Sequence, residues 1–172
     1  MSFLSRLFGT EADPKDALRP LWRRVVEIAR EPQWFRDCGL EDTIEGRFDA
    51  ITAVLALFLL RMEREEALIA PSVHLTELFV EDMDGQMRQI GVGDLVVGKK
   101  MGKLVSSMGG RLGAFRDAFA DGDEAMLVSA VERNMTLRQG HDAHALAARL
   151  AGLRDRLERT TGEQILAAEV AA

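Results

Sequence analysis

Residues 50–60 read AITAVLALFLL, an uncharged run that lies between Asp49 and Arg61. As an α helix this run spans about 16 Å, roughly half of the ~30 Å hydrocarbon core of a bilayer. It is too short to cross a membrane, and we predict a buried helix near the centre of the fold. Thr43 is placed to cap this helix. Its broad apolar face comprises Phe48, Ile51, Leu55, Phe58, Leu59 and Met62.

The chain on both sides of this run repeats the helical period, with apolar residues at steps of three and four. A first helix is expected after Asp13, ending at Pro32, and residues 32–43 are expected to form a loop. The sequence REEALIAPS (residues 64–72) predicts a break. We place the start of the next helix near Ser72 and its end at Gly91, where a glycine commonly closes a helix.

Three further helices are expected downstream, at about residues 94–119, 124–137 and 141–159. The glycines in SSMGGRLG (residues 106–113) leave open whether the first of these is one helix or two. The sequence therefore predicts an all-α fold, a single-domain bundle of about six helices. We divide it into an N-terminal segment (1–12), an all-α domain (13–160) and a C-terminal tail (161–172).

Composition limits the function classes. The formal net charge of −6 argues against a general DNA binder, because phosphate binding needs a basic surface. Cys38 is the single cysteine, which favours a reducing compartment. Its acidic neighbours disfavour a thiolate, and we interpret it as a packing residue.

Residues 81–101, EDMDGQMRQIGVGDLVVGKKM, carry the most distinctive pattern, and we call them the elbow. Gly93, Gly98 and Lys99 fit the spacing of a phosphate-binding loop. However, Lys100 stands where that loop needs Ser or Thr, and the preceding element is a predicted helix rather than a strand. The DMDG fragment likewise resembles a calcium loop but lacks the first and last carboxylate ligands.

No other catalytic or metal site is predicted. His141 and His144 share one side of a predicted helix start, but two histidines are too few ligands for a metal site. No Ser-His-Asp pattern is present, and Cys38 is the only thiol. We therefore expect a protein that is not an enzyme and that needs no cofactor.

Two features of the helix after the elbow have alternative explanations. Lys99, Lys100 and Lys103 lie in its first turns, where the helix macrodipole disfavours cations. Either the acids Glu81, Asp82 and Asp84 pair with them, or an external anionic partner does, such as lipid headgroups or an acidic protein segment. The same helix carries glycines that imply close packing, either inside the protein or against a partner. These are Gly98, Gly102, Gly109, Gly110 and Gly113.

The N-terminal segment has an apolar side with Arg6 opposite it, which suits reversible contact with a membrane surface. A stretch of this length is marginal as an isolated helix. The predicted membrane-contact residues are Phe3, Leu4, Leu7 and Phe8.

Two blocks resemble a known family. GLEDTIEGRFD (39–49) and FVEDMDGQMRQIGVGDLVVGKKM (79–101), followed by GGR and ERN, are similar to the signature blocks of the ubiquinol-cytochrome c chaperones. The resemblance covers about residues 29–135. The family usually has a histidine in its central helix and an aromatic residue before GR, and this chain departs from it at both places.

The resemblance implies a non-catalytic assembly factor of respiratory complex III. Such a protein binds newly made cytochrome b, a very hydrophobic subunit, and holds it for haem insertion. The implied location is cytoplasmic and peripheral to the inner membrane, with the membrane surface or the ribosome as further contacts. The alternatives are a lipid- or protein-binding adaptor unrelated to respiration and, less favoured, an all-α enzyme.

We expect the partner-binding surface to lie around the elbow. Its acidic side comprises Asp82, Asp84 and Arg88, and its turn comprises Gly91, Val92, Gly93, Asp94 and Leu95, with Asp94 as the expected helix cap. Its basic side comprises Lys99, Lys100, Lys103 and Arg111. Arg47 and Asp49 are second-rank members, and a buried structural pair is an alternative role for either of them.

Overall fold

A computed structural model describes residues 13–89, 91 and 93–171 of the protein and, at residues 94 and 95, the backbone alone. The described elements are a short 3-10 helix (Pro14–Leu18), α1 (Arg19–Ala29), α2 (Pro32–Arg36), α3 (Ile44–Met62), α4 (Glu66–Gln89), α5 (Asp94–Asp121), α6 (Glu124–Asn134), α7 (His144–Arg159) and α8 (Gly162–Leu166). Within these residues the only β pairing is an isolated antiparallel bridge between Leu40 and Leu137. The predicted all-α, single-domain bundle is confirmed.

The central position predicted for α3 is also confirmed. Every residue from Asp49 to Leu59 is buried, and α3 contacts α1, α4, α5 and α7. Its first turn begins as expected, because the Thr43 side chain accepts a hydrogen bond from the Gly46 backbone N–H at 3.2 Å. The uncharged run is thus apolar on all sides because helices surround it. No helix among the described residues combines the length and apolarity needed to span a membrane.

Several predicted boundaries differ in the structure, since α6 ends at Asn134 rather than near residue 137 and α7 begins at His144 rather than near residue 141. The expected loop at residues 32–43 begins with α2, where the buried Trp34 donates its indole N–H to the Ile28 carbonyl at 2.6 Å. The expected start of α4 near Ser72 is wrong, since the helix begins at Glu66 and contains Pro71. The burial of Leu68, which is 1% exposed, holds the turn before the proline against the core and offsets its missing backbone donor.

The C-terminal residues belong to the same hydrophobic core as the rest of the chain. Ile165 of α8 is fully buried and Val170 is 3% exposed. The Arg24 side chain also donates to the Val170 carbonyl at 2.9 Å. A capping box between Thr161 and Gln164 begins α8.

Candidate recognition surface at the elbow

The turn of the elbow is set by two glycines. Gly91 closes α4 with φ of +81°, a left-handed conformation that favours glycine, as its predicted position implied. Gly93 occupies the N-cap of α5, and its carbonyl accepts from the Val96 N–H at 2.9 Å. The prediction that Asp94 is the cap is therefore wrong by one residue, because Asp94 is already helical. Val92 lies outside the described residues, as do the side chains of positions 94 and 95.

The acids before the turn are already engaged within the protein. Asp84 pairs with Arg88 one helical turn later, with an Nε–Oδ2 distance of 2.6 Å. Asp82 accepts a hydrogen bond from the indole N–H of Trp22 at 3.2 Å. Lys15, from the 3-10 helix, forms an ion pair with Glu81. This acidic side is thus fixed by contacts that leave Asp84 and Arg88 partly exposed.

The lysines after the turn stand apart from these acids. Lys99, Lys100 and Lys103 are exposed on α5. No described carboxylate forms a salt bridge with them, and the acids expected to do so bond to Lys15, Trp22 and Arg88 instead. The structure therefore does not show the first explanation, in which these lysines pair with the acids across the elbow.

The glycines of α5 do not serve internal packing. A Cβ atom placed on any of them would meet no atom within 4 Å outside its immediate surroundings. The expectation of close packing inside the protein is therefore wrong for these positions. α5 is a single continuous helix through Gly109 and Gly110, which settles whether it is one helix or two. The five positions are Gly98, Gly102, Gly109, Gly110 and Gly113.

Arg111 is not on the basic side of this surface, where it was predicted. It is 2% exposed, and its guanidinium lies 2.7 Å from the carboxylate of Asp49, which is itself 8% exposed. The guanidinium also donates to the Thr52 hydroxyl and to the Asn134 carbonyl. The reason is that α5 packs against α3, which turns this face of α5 towards the core. Of the two roles considered for Asp49, the structure shows the buried structural pair.

Thr136 completes this cluster, which we call the Asp49 hub and define as Asp49, Thr52, Arg111 and Thr136. The backbone N–H and the hydroxyl of Thr136 both donate to Asp49 Oδ2, at 2.8 and 2.7 Å. Burial lowers the pKa of the Arg111 guanidinium, while the charge of Asp49 and its hydrogen bond act in the opposite direction. An arginine pKa begins so far above neutrality that the group stays charged at pH 7.

Sequence reasoning did not select Thr52 and Thr136. A signal was present for Thr52, since Asp49 and Thr52 are polar residues one turn apart in an otherwise apolar buried helix. Buried polar groups require hydrogen-bonding partners. Arg47, in contrast, is exposed and pairs with Asp42 at 2.6 Å, away from the hub. The predicted membrane-contact residues Phe3 to Phe8 lie outside the described part of the chain.

The remaining candidate groups do not assemble into a reactive centre. Within residues 13–171, as far as they are described, no three His, Cys, Asp or Glu side chains are placed to hold a metal ion. His141 packs against Gly39, while the exposed His144 lies beside Asp142. Burial raises the pKa of the Cys38 thiol, which agrees with a packing role.

A groove of about 300 Å³ lies where the C-terminal ends of α3, α5 and α7 meet. Its charged walls are joined by ion pairs between helices. Arg116 binds Glu63 and Arg64 binds Glu158, each at 2.8 Å. These pairs connect the two residues that follow α3 to α5 and to α7, so Arg64 and Arg116 have partners within the protein.

Comparison with known proteins supports the sequence resemblance. The chain is similar to the crystal structure of the Cbp3 homolog from Brucella abortus, with a TM-score of 0.79 and 29% sequence identity. The similarity covers 91% of this chain and 88% of that chain. No curated protein matches the chain.

The family profile described as "Ubiquinol-cytochrome C chaperone" matches residues 36–172, which include α3, the elbow and the Asp49 hub. This match spans well over half of the chain and agrees with the two blocks identified in the sequence. The chain therefore belongs to the ubiquinol-cytochrome C chaperone family.

Proposed function

We propose that this protein is a non-catalytic chaperone for the assembly of ubiquinol-cytochrome c reductase, respiratory complex III, and that its client is newly made cytochrome b. The observation that carries the proposal is the family match over residues 36–172. The similarity to the Cbp3 homolog along nearly the whole chain adds support from the fold. We infer the client from the resemblance of the two sequence blocks to this family.

The elbow is the surface that we propose for the client. Asp84 and Arg88 are partly exposed, and their pairing holds them in place on the last turns of α4. Gly91 then fixes the direction of the chain. A surface with charges of both signs suits recognition of polar segments that flank apolar helices.

We further propose that the protein acts on the cytoplasmic side, peripheral to the inner membrane. Cytochrome b is a membrane subunit with several spans, so a chaperone that receives it when newly made must work where it enters the bilayer. Phe3, Leu4, Leu7 and Phe8 are proposed to contribute to this membrane contact, and the ribosome is proposed as a second place where the protein meets its client.

A deletion strain tests the proposal. Without this protein we expect loss of assembled complex III and of haem b, and restoration of both by a plasmid copy. A tagged copy should co-purify cytochrome b. Normal complex III and haem b in the deletion strain, together with no recovered cytochrome b, would show that the proposed function is wrong.

A matched pair of variants tests the elbow. Asp84→Ala with Arg88→Ala removes an exposed ion pair at the elbow, and Arg64→Ala with Glu158→Ala removes one at the opposite end of α4, about 35 Å away. Each exposed pair contributes at most about 1 kcal/mol to stability, so both proteins should accumulate. We expect only the elbow variant to lower complex III, and equal effects of the two would remove the elbow from the proposal.

A further inference from the structure

The N-terminal half of one face of α5 is basic, and no described carboxylate forms a salt bridge with its lysines. At 3.6 residues per turn, its members lie within an arc of about 120° on the side of the helix away from the core. The opposite side carries the buried Val97 and Met108. We call this face the lysine row, and it comprises Val96, Lys99, Lys100, Lys103, Ser106, Ser107 and Gly110.

The lysines of this row are not explained by the stability of the protein. They lie in the second and third turns of α5, and all three are exposed. The neighbouring acids Glu81 and Asp84 have other partners, in Lys15 and Arg88. Three exposed cations on one face, with no salt bridge to a described carboxylate, leave this face able to bind an anion supplied from outside.

The shape and chemistry of the row favour a broad anionic surface over a single anionic group. Ser106, Ser107 and Gly110 are small, so no side chain among them projects beyond the lysines. Val96 is 49% exposed and adds an aliphatic contact at the end of the row. Lysine acts as a hydrated point charge, whereas geometric recognition of one carboxylate or phosphate is the usual role of arginine.

We infer that the lysine row lies against the anionic headgroups of a lipid bilayer. From Val96 to Gly110 the row extends about 21 Å, the length of several lipid headgroups. Each lysine near an anionic leaflet is expected to strengthen binding about fivefold, so the three together give about 100-fold. This inference deepens the proposed function, because it assigns a surface to the proposed membrane location and leaves the partly exposed Asp84–Arg88 pair for the client.

The test is co-sedimentation of the full chain with vesicles. One set is phosphatidylcholine alone, and the other contains three parts in ten of phosphatidylglycerol. We expect the protein to prefer the anionic vesicles at least tenfold, and this preference to fall with added salt because the contact is electrostatic. Equal binding to both vesicle types would overturn the inference.

Variants locate the contact. The triple variant Lys99→Gln, Lys100→Gln and Lys103→Gln should lose at least tenfold in binding to anionic vesicles. Its charge-matched control is Arg23→Gln, Arg30→Gln and Arg36→Gln, which removes three exposed cations from α1, its C-cap and α2 and should change binding less than twofold. A loss of equal size in the control would mean that net charge, not the lysine row, determines binding.

Two further outcomes are decisive. If removal of residues 1–12 abolishes binding and the lysine variant binds normally, the membrane contact lies in the N-terminal segment and the inference is wrong. If the lysine variant binds vesicles normally but loses cytochrome b in cells, the row serves an acidic protein segment instead. The vesicle assay contains no client, so its failure leaves the proposed assembly function unaffected.

Discussion

The carboxylate of Asp49 joins three separate parts of the chain. It lies on α3 and accepts hydrogen bonds from Arg111 of α5 and from Thr136, which follows α6. A buried ion pair adds little stability compared with well-packed apolar residues, but removing one partner leaves a buried charge without compensation. A substitution that removes the Asp49 carboxylate should therefore be costly.

We expect Asp49→Ala to lower the free energy of unfolding by about 3–5 kcal/mol. The control is Asp42→Ala, which removes a carboxylate that pairs with Arg47 on the surface and should cost no more than about 1 kcal/mol. Urea unfolding followed by circular dichroism measures both. Losses of similar size would contradict the structural role of the Asp49 hub.

The sequence identified two members of this hub, but it placed Arg111 on the surface and left the buried structural pair as only one of two roles for Asp49. The helical period shows which residues of α5 share a face, but it does not show which helix that face meets. Arg111 and Asp49 are 62 residues apart in the chain, and only the packing of α5 on α3 brings them together. The spacing of residues within α5 does not show that Arg111 and Asp49 are in contact.

Cys38 allows a second prediction for a single residue. Burial raises the pKa of its thiol and limits access to it, so at pH 8 the thiolate is scarce in the folded protein. We expect it to react with a thiol-specific dye at least about tenfold more slowly than a cysteine placed at the exposed Ser106 in a Cys38→Ser background. Equal rates would show that Cys38 is accessible. Unfolding the protein in urea should abolish the difference.

The outer side of α5 carries glycines that lower the stability of this helix. Interior glycines cost about 1 kcal/mol each relative to alanine, and those of α5 meet nothing that would exclude a methyl group. The helix nevertheless continues across Gly109 and Gly110, because Met108, Arg111 and Phe115 anchor its inner side at helical spacing. Burial of one face therefore outweighs the weak helix propensity of the other.

Substitution of glycine by alanine should change the free energy of unfolding in opposite directions at Gly91 and Gly102. Gly91→Ala forces a side chain into the left-handed conformation and should lower the free energy of unfolding by about 1–2 kcal/mol. Gly102→Ala, within the helix, should raise it by about 0.4–1 kcal/mol. Neither added Cβ meets a neighbouring atom, so backbone conformation alone makes the difference. Thermal unfolding of both variants checks the signs, and shifts in the same direction would contradict this explanation.

The two ends of α4 show when local sequence signals are sufficient to predict a helix boundary. Gly91 was identified as the end of α4 because its conformation depends on its own backbone. The start of α4 was misplaced because residues 64–72, which include Pro71, predict a break, whereas the helix continues through the proline. The burial of Leu68 one turn earlier, which overrides the proline, is a tertiary contact that propensity does not contain.

At the scale of the whole molecule, one hydrophobic core includes residues from Leu18 to Val170. Both tryptophans, Trp22 and Trp34, belong to it, and α8 closes it from the C-terminal side. A single core of this kind predicts that all of the helices unfold together. Helical periodicity predicts the fold class, and two sequence blocks indicate the family. To identify the residues that face solvent, the packed structure was needed.

Cooperative unfolding is open to a direct check. The urea midpoint from tryptophan fluorescence, which reports on α1 and α2, should coincide with the midpoint from circular dichroism, which reports on all helices. A separate, earlier loss of helical signal would mean that part of the bundle unfolds alone. Repetition with Ile165→Ala, which weakens the contact of α8, should move both midpoints together.

The Asp49 hub also has a consequence for the order of events during synthesis. Thr136 follows Asp49 by 87 residues, so α3 leaves the ribosome long before its carboxylate meets all of its partners. Helices α1 to α3 can collapse earlier, because their contacts are close in sequence. We therefore expect the hub to form after the folding barrier is crossed. Its loss should then accelerate unfolding more than it slows folding, and a chain stalled before residue 136 should still lack the contact that joins its two halves.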